Sequence, residues 1–218
     1  MPLDFGAVGK LAGYDIPRLG MGVMALAIEG RPAVREQAID TIHAALDAGV
    51  RYLDTAWSYY LPSKPGTGEP EDLGYGEYLV RDALASWQGP RDEVLVATKT
   101  GWLRTLDDTG HYGWRADARP ETMIAQAKES ARRLGVDALD LLYSHCDDPA
   151  VPYDEQMDAL KTLVDEGVAR HVGISRIGNK DIETAHRILG DRLVAVQNQF
   201  SPVHRDPEDT MATCKHLG

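Results

Sequence analysis

Six short apolar runs punctuate the chain: Arg18–Leu26, Arg51–Thr55, Val94–Lys99, Leu139–His145, His171–Ser175 and Leu193–Gln197. They are mostly Val, Ile, Leu, Ala and Tyr, the pattern of strands covered on both faces. Between them the apolar period changes. Ile39, Ile42 and Leu46 stand three and four apart, as do Ile124, Ala127, Ala131 and Leu134. Met157, Leu160 and Val164 follow, then Ile182, Ala185 and Ile188 with Leu189. Each set predicts a helix with one apolar stripe, suited to lying against a sheet. Pro120 and Pro152 fall where a first helical turn begins, a place that tolerates a missing N–H.

Glycines close the helical stretches. Gly49, Gly89, Gly135, Gly167 and Gly190 each precede a strand by a few residues, where a left-handed C-cap favours glycine. Strand alternating with helix across short turns implies parallel strands and right-handed crossovers. No glycine-rich phosphate fingerprint joins the first strand to its helix, which favours a (β/α)8 TIM barrel over an open doubly wound sheet. Leu3–Ile16, with Gly6, Gly9 and Gly13, reads as a leading β-hairpin that could plug the barrel bottom.

Residues 1–218 are therefore expected to form one α/β domain of about six βα units, an incomplete barrel. The last helical stretch, Pro207–Leu217, runs into Gly218, and the rhythm calls for a seventh strand. Six units would leave two open strand edges. The expectation is that the natural chain continues, or that another chain covers the edges, a homo-oligomer being one such arrangement.

The strand-to-helix loops are the long ones. Ser58–Gly74 is rich in Pro and Gly, and Gly101–Arg119 carries two tryptophans. In a barrel such loops form the rim of the active site. Trp57, Trp102 and Trp114 lie in or beside them and either line a pocket or anchor the loops.

Five consecutive apolar runs finish in a polar or ionisable residue: Asp54, Lys99, His145, Ser175 and Gln197. A barrel gathers strand ends into one pocket. Together with Tyr59 they suit reduction of a carbonyl, which needs a proton donor where negative charge develops on oxygen. A tyrosine near its ordinary pKa of about 10 holds its proton too tightly. A nearby ammonium is expected to lower that pKa, and a carboxylate to keep the ammonium charged. A histidine can orient the carbonyl. Asp54, Tyr59, Lys99 and His145 supply these four groups.

The stretch Arg51–Tyr59, R-Y-L-D-T-A-W-S-Y, resembles the aldo-keto reductase signature, in which an Asp precedes the catalytic Tyr by five residues. V-A-T-K-T at Val96–Thr100, D-L-L-Y-S-H at Asp140–His145, V-G-I-S at Val172–Ser175 and V-Q-N-Q at Val196–Gln199 resemble the family's later segments, in the same order. The resemblance covers nearly the whole chain and corresponds to the N-terminal two-thirds of such a barrel. It implies Tyr59 as general acid, Lys99 and Asp54 as its tuners, and His145 as the carbonyl-orienting group. It also implies a nicotinamide cofactor, NADPH with NADH left open, contacted by Asp54, Ser175 and Gln197, with Gly22, Val23 and Met24 on the first-strand loop. Arg176 stands where the family often has Asn, and a cofactor contact is expected there too. The family's adenosine 2′-phosphate site comes from strands seven and eight, beyond these residues, so weak NADPH binding is expected of the 218 residues alone.

Several of these residues have plainer readings. Tyr60 is the rival of Tyr59, and the spacing from Asp54 favours Tyr59. Lys99 could reach solvent from a strand end, and His145 could be a core histidine. Asp147 and Asp148 are adjacent, a poor arrangement for convergent metal ligands, and read as loop or cap residues; no metal is expected. His43, His171, His186, His204 and His216 read as structural or surface residues.

Composition narrows the partners. The chain is 43% hydrophobic and 26% charged with a formal net charge of −11, which argues against nucleic acid and anionic membranes. Cys146 and Cys214 are far apart, and no signal pattern or membrane-length apolar run is seen, so a cytoplasmic setting is expected. The implied substrate is a small-molecule aldehyde, ketone or sugar-like carbonyl. The alternative is a truncated or non-catalytic barrel that binds nicotinamide as a regulatory or interaction subunit, as relatives resembling channel β-subunits do.

Overall fold

Where the apolar runs are continuous, the chain forms parallel strands backed by the helices between them. The computed structural model describes residues 8–66, 68–205 and 208–218. It opens with an antiparallel hairpin, β1 (Gly9–Leu11) and β2 (Tyr14–Ile16). Gly6 and the rest of that segment before Val8 lie outside the described residues, as does Pro207 of the last helix. The main sheet follows as β3 (Met21–Gly22), β4 (Tyr52–Asp54), β5 (Leu95–Thr100), β8 (Leu139–Ser144), β9 (Ala169–Ser175) and β10 (Leu193–Gln197). These six strands pair in sequence order, all parallel, and curl into an arc of a (β/α)8 barrel.

The helices are α1 (Arg35–Asp47), α2 (Tyr75–Ser86), α3 (Pro120–Leu134), α4 (Tyr153–Asp165), α5 (Asn179–Leu189) and α6 (Glu208–Leu217). The α5 stripe is Ile182, Ala185 and Leu189, as its spacing predicts. Elsewhere most of the predicted stripe is buried, Ile42, Leu46, Ala127, Ala131, Met157 and Leu160 included, and single members give way to a neighbour. Met123 rather than Ile124 is buried in α3, and Leu163 rather than Val164 in α4. A stripe of this width lets the flanking apolar residue sit half-covered at the helix border. The stripe of α2, Leu79, Val80, Ala83 and Leu84, carries the same periodicity.

Two apolar layers result. Outside the arc, helices pack on residues such as Leu53, Val94 and Val96. Inside it, Leu95, Ala97, Leu141 and Tyr143 meet Leu11, Tyr14 and Ile16 of the first hairpin. Alternation along β5 sends successive residues to opposite layers, and the hairpin closes the bottom of the arc. Tyr14 Oη donates to Asp140 Oδ1 at 3.2 Å, fixing it there.

Two sequence readings change. Gly49, Gly135, Gly167 and Gly190 have positive φ of 110°, 71°, 74° and 56°, as expected of helix stops. Gly89 does not belong with them. It lies beyond the end of α2 against the Trp87 ring, which a Cβ would approach to 2.2 Å. The second change is larger: Gly101–Arg119 is an ordered antiparallel hairpin, β6 (Trp102–Leu106) and β7 (Tyr112–Ala116). Its turn is held by Asp107 Oδ1, which accepts from the Thr109 and His111 N–H groups, both at 2.9 Å. The period-2 alternation of Tyr112, Trp114 and Ala116 with Gly113 and Arg115 was its signal in the sequence. Among the described residues no helix is long and apolar enough to cross a membrane.

Candidate active site

Pairing continues past the end of β4 and carries Tyr59 to the mouth of the arc. The Thr55 N–H donates to Ala97 O at 2.9 Å and the Trp57 N–H to Lys99 O at 3.1 Å. The chain then turns, and the Gly76 N–H in the first turn of α2 donates to Tyr59 O at 3.0 Å. A Cβ on Gly76 would lie 2.9 Å from Tyr59 Cβ and 3.0 Å from its carbonyl. Glycine there lets α2 press directly on the backbone that holds Tyr59.

The four expected groups converge. Lys99 is 2% exposed. Its Nζ pairs with Asp54 Oδ1 in a short ion pair, donates to Thr55 O at 2.7 Å, and lies 3.3 Å from Tyr59 Oη. The other Asp54 oxygen accepts from Gln197 Nε2 at 2.9 Å and from Tyr52 Oη at 3.4 Å. Ser175 Oγ donates to Gln197 O at 2.9 Å, so a polar chain crosses the mouth from β4 through β10 to β9. His145, one residue past β8, has its ring 5.9 Å from that of Tyr59. Its Nδ1 is 3.5 Å from Ser58 Oγ.

Charges in this site behave as a dry interior dictates. Burial, and then the Asp54 carboxylate, raise the Tyr59 pKa above the ordinary 10.0, with Arg176 pulling the other way. This runs against the expectation of a lowered phenol: burial and the Asp54 carboxylate both disfavour a phenolate here. Burial also lowers Lys99, against the pull of Asp54. His145 is held well below its usual 6.5 by burial and then by the Lys99 and Arg176 charges, which keeps the imidazole neutral at physiological pH.

The β6–β7 hairpin walls the site. Trp102, Arg104 and Trp114 lie with Tyr59, Lys99, His145, Ser175, Arg176 and Gln197 around one cavity of about 450 Å³. Arg104 escaped notice in the sequence because it sits in what looked like a loop. It is 1% exposed, paired with Glu29 in a short ion pair, and covers the Trp114 ring at 4.3 Å.

The other expected residues divide. Met24 lines the cavity. Gly22 is beside Asp54 in register, with open space where its Cβ would be. Val23 does not line the cavity. Its side chain is buried against α1 and its N–H is taken by Asp54 O at 2.9 Å. Trp57 turns away from the cavity onto Tyr60 and Leu103, with Arg133 5.1 Å from its ring centroid, so it anchors the loop. Tyr60 is fully buried there, its hydroxyl 3.4 Å from Gly68 O and Arg104 O. Asp148 is buried rather than solvated, accepting from the Ala118 N–H at 3.1 Å.

Comparison with known proteins agrees with this architecture. The sequence model of the aldo/keto reductase family matches residues 18–218. An uncharacterized oxidoreductase of Schizosaccharomyces pombe is 31% identical over 212 residues, covering 96% of this chain and 62% of its own length. A holo-form aldo-keto reductase of Bacillus halodurans superposes with a TM-score of 0.75 at 28% identity, over 97% of this chain and 63% of its own. A glycerol dehydrogenase of Gluconobacter oxydans shares the fold, with a TM-score of 0.81 at 24% identity over 99% and 62%. The chain thus spans under two-thirds of the length of these relatives.

Proposed function

The chain belongs to the aldo/keto reductase family of oxidoreductases, and we propose that its cavity reduces an aldehyde or ketone to the alcohol, with Tyr59 as proton donor. The observation that carries this reading is the placement of Tyr59 Oη 3.3 Å from a buried Lys99 Nζ that is itself held by Asp54. Reduction puts negative charge on the carbonyl oxygen, and a phenol kept protonated by its surroundings can meet that charge with a proton. Lys99 stabilises the phenolate left behind, and Asp54 keeps Lys99 charged despite its burial. His145, neutral, offers an N–H to the same oxygen and orients the carbonyl.

A nicotinamide cofactor, NADPH or NADH, supplies the hydride when bound. The residues fit such a group: the cavity is lined by a polar shelf of Ser175, Gln197 and Asn198 and by the rings of Tyr59, Trp102 and Trp114. Space over Gly22 admits a ligand close to the backbone. Gly22, Met24, Asp54, Ser175, Gln197 and the backbone of the Arg176 turn would hold it, while Val23 packs behind them against α1. Turnover of Tyr59→Phe and Tyr60→Phe tests the assignment. Tyr59→Phe is expected to lower kcat by roughly a thousandfold with cofactor affinity kept, and Tyr60→Phe to retain turnover. Unchanged turnover in Tyr59→Phe would sink the reading.

A further inference from the structure

Arg176 is placed in a way that carbonyl reduction alone does not account for. It is one of two non-glycine residues described with positive φ, at 61°, a backbone region that side chains other than Asn and Asp rarely adopt. The turn is clamped there. The Arg176 N–H donates to Gln197 O at 3.1 Å, and the Asn198 amide bonds both polar backbone atoms of Ile177, at 3.0 and 2.9 Å. Strain held so firmly near a site is a pointer to use.

The clamp decides where the guanidinium goes. Its carbon lies 4.7 Å from the centroid of Trp102, and that ring is 4.6 Å from His145. Trp102 in turn packs against Trp114, with centroids 4.9 Å apart and rings tilted by 33°, and Arg104 lies 4.3 Å from the Trp114 centroid. The two arginines differ in one respect. Arg104 is consumed by Glu29, whereas no carboxylate among the described residues pairs with Arg176, and its side chain is exposed at the cavity. A guanidinium held over an indole keeps its N–H donors free for a two-pronged anion such as a carboxylate.

We propose that the site selects carbonyl compounds bearing a carboxylate about one aromatic ring away from the reacting carbon, with Arg176 binding the carboxylate and Trp102 holding Arg176 in place. This rests on the reading that the carbonyl sits at Tyr59 and His145. The net charge of −11 makes the point sharper, since the chain as a whole repels anions and the attraction is local to this mouth.

Calorimetric titration with 4-formylbenzoate and its neutral isostere 4-formylbenzamide tests the proposal without turnover. The carboxylate is expected to bind at least tenfold more tightly than the amide, and the preference to fall below twofold in Arg176→Asn. Asn tolerates the left-handed backbone, so that variant is expected to keep the fold, with an unchanged thermal midpoint as the check. Equal binding of the two compounds by the unmodified protein, or a preference that survives Arg176→Asn, overturns the proposal. Repeating the 4-formylbenzoate titration with millimolar NADP+ separates substrate from cofactor. Unchanged affinity supports a substrate site, and competitive displacement assigns the guanidinium to the cofactor phosphates and overturns it. Reduction of uncharged 4-methylbenzaldehyde reports on the Tyr59 chemistry separately, so each reading can fail alone.

Discussion

Around Lys99 the sheet has neighbours on both sides, and all six residues of β5 are buried. Across the mouth, β10 pairs only with β9 among the described residues, and all five of its residues are half-exposed. The proposed acid–base groups gather around the first region, and most of the proposed cofactor shelf stands on the second. The proton donation proposed for Tyr59 would benefit from a dry, preset environment in which charges interact strongly. A shelf for a cofactor that binds and leaves has to stay reachable by solvent. The same barrel mouth therefore has a rigid side and an accessible side, bridged across the mouth by the Gln197–Asp54 hydrogen bond of 2.9 Å.

Breaking the rigid side is expected to cost most. Lys99→Met removes the ammonium from both Asp54 and Tyr59. It should lower reduction by about a thousandfold and, by leaving Asp54 without its partner, destabilise the fold by roughly 3 kcal/mol; steady-state kinetics and urea unfolding read the two. Gly76→Ala pushes a methyl onto the Tyr59 backbone. Through the displaced phenol it should reduce kcat by about a hundredfold, with a smaller loss of thermal midpoint. A kcat within twofold of the unmodified protein would show that Tyr59 is held by something other than α2.

On the accessible side, Gln197→Ala is expected to weaken nicotinamide binding about tenfold, roughly the worth of one hydrogen bond, and to change kcat less than Gly76→Ala does; a fluorescence titration measures this. The smallest effect concerns pH. His145 is lowered from 6.5, so it stays neutral as pH falls through the ordinary histidine range, and Tyr59 is raised from 10.0, so it stays protonated above neutrality. The rate of reduction should therefore be flat from about pH 8 down to about pH 6, without an inflection near the usual histidine pKa. A clear inflection there would mean that His145 titrates as an exposed group, and that the rigid side is wetter than its burial implies.

Much of this was legible in advance. Period and glycine punctuation gave the alternation of strand and helix, because burial on two faces and burial on one stripe demand different spacings. The polar strand ends pointed at Asp54, Lys99, His145, Ser175 and Gln197, since parallel strands bring their ends to one rim. The second hairpin was legible too, in the alternation of Tyr112, Trp114 and Ala116, but a long segment between a strand and a helix invites reading as a loop.

Other features depended on distance through space. The spacing from Asp54 favoured Tyr59 over Tyr60, but what holds Tyr59 toward the lysine, the seating of α2 on the turn at Gly76, was not legible there. That Trp57 anchors while Trp102 and Trp114 line the cavity depends on which surface each finds. The sign of the Tyr59 shift followed from burial and the nearby Asp54 carboxylate. The left-handed turn that lays Arg176 on Trp102 comes from a clamp between β9 and β10. Local patterns settle period, caps and strand ends because those are properties of neighbouring residues; the partners of Tyr59, Arg104 and Arg176 were decided by tertiary packing, which sets the desolvation and the distances that charge depends on.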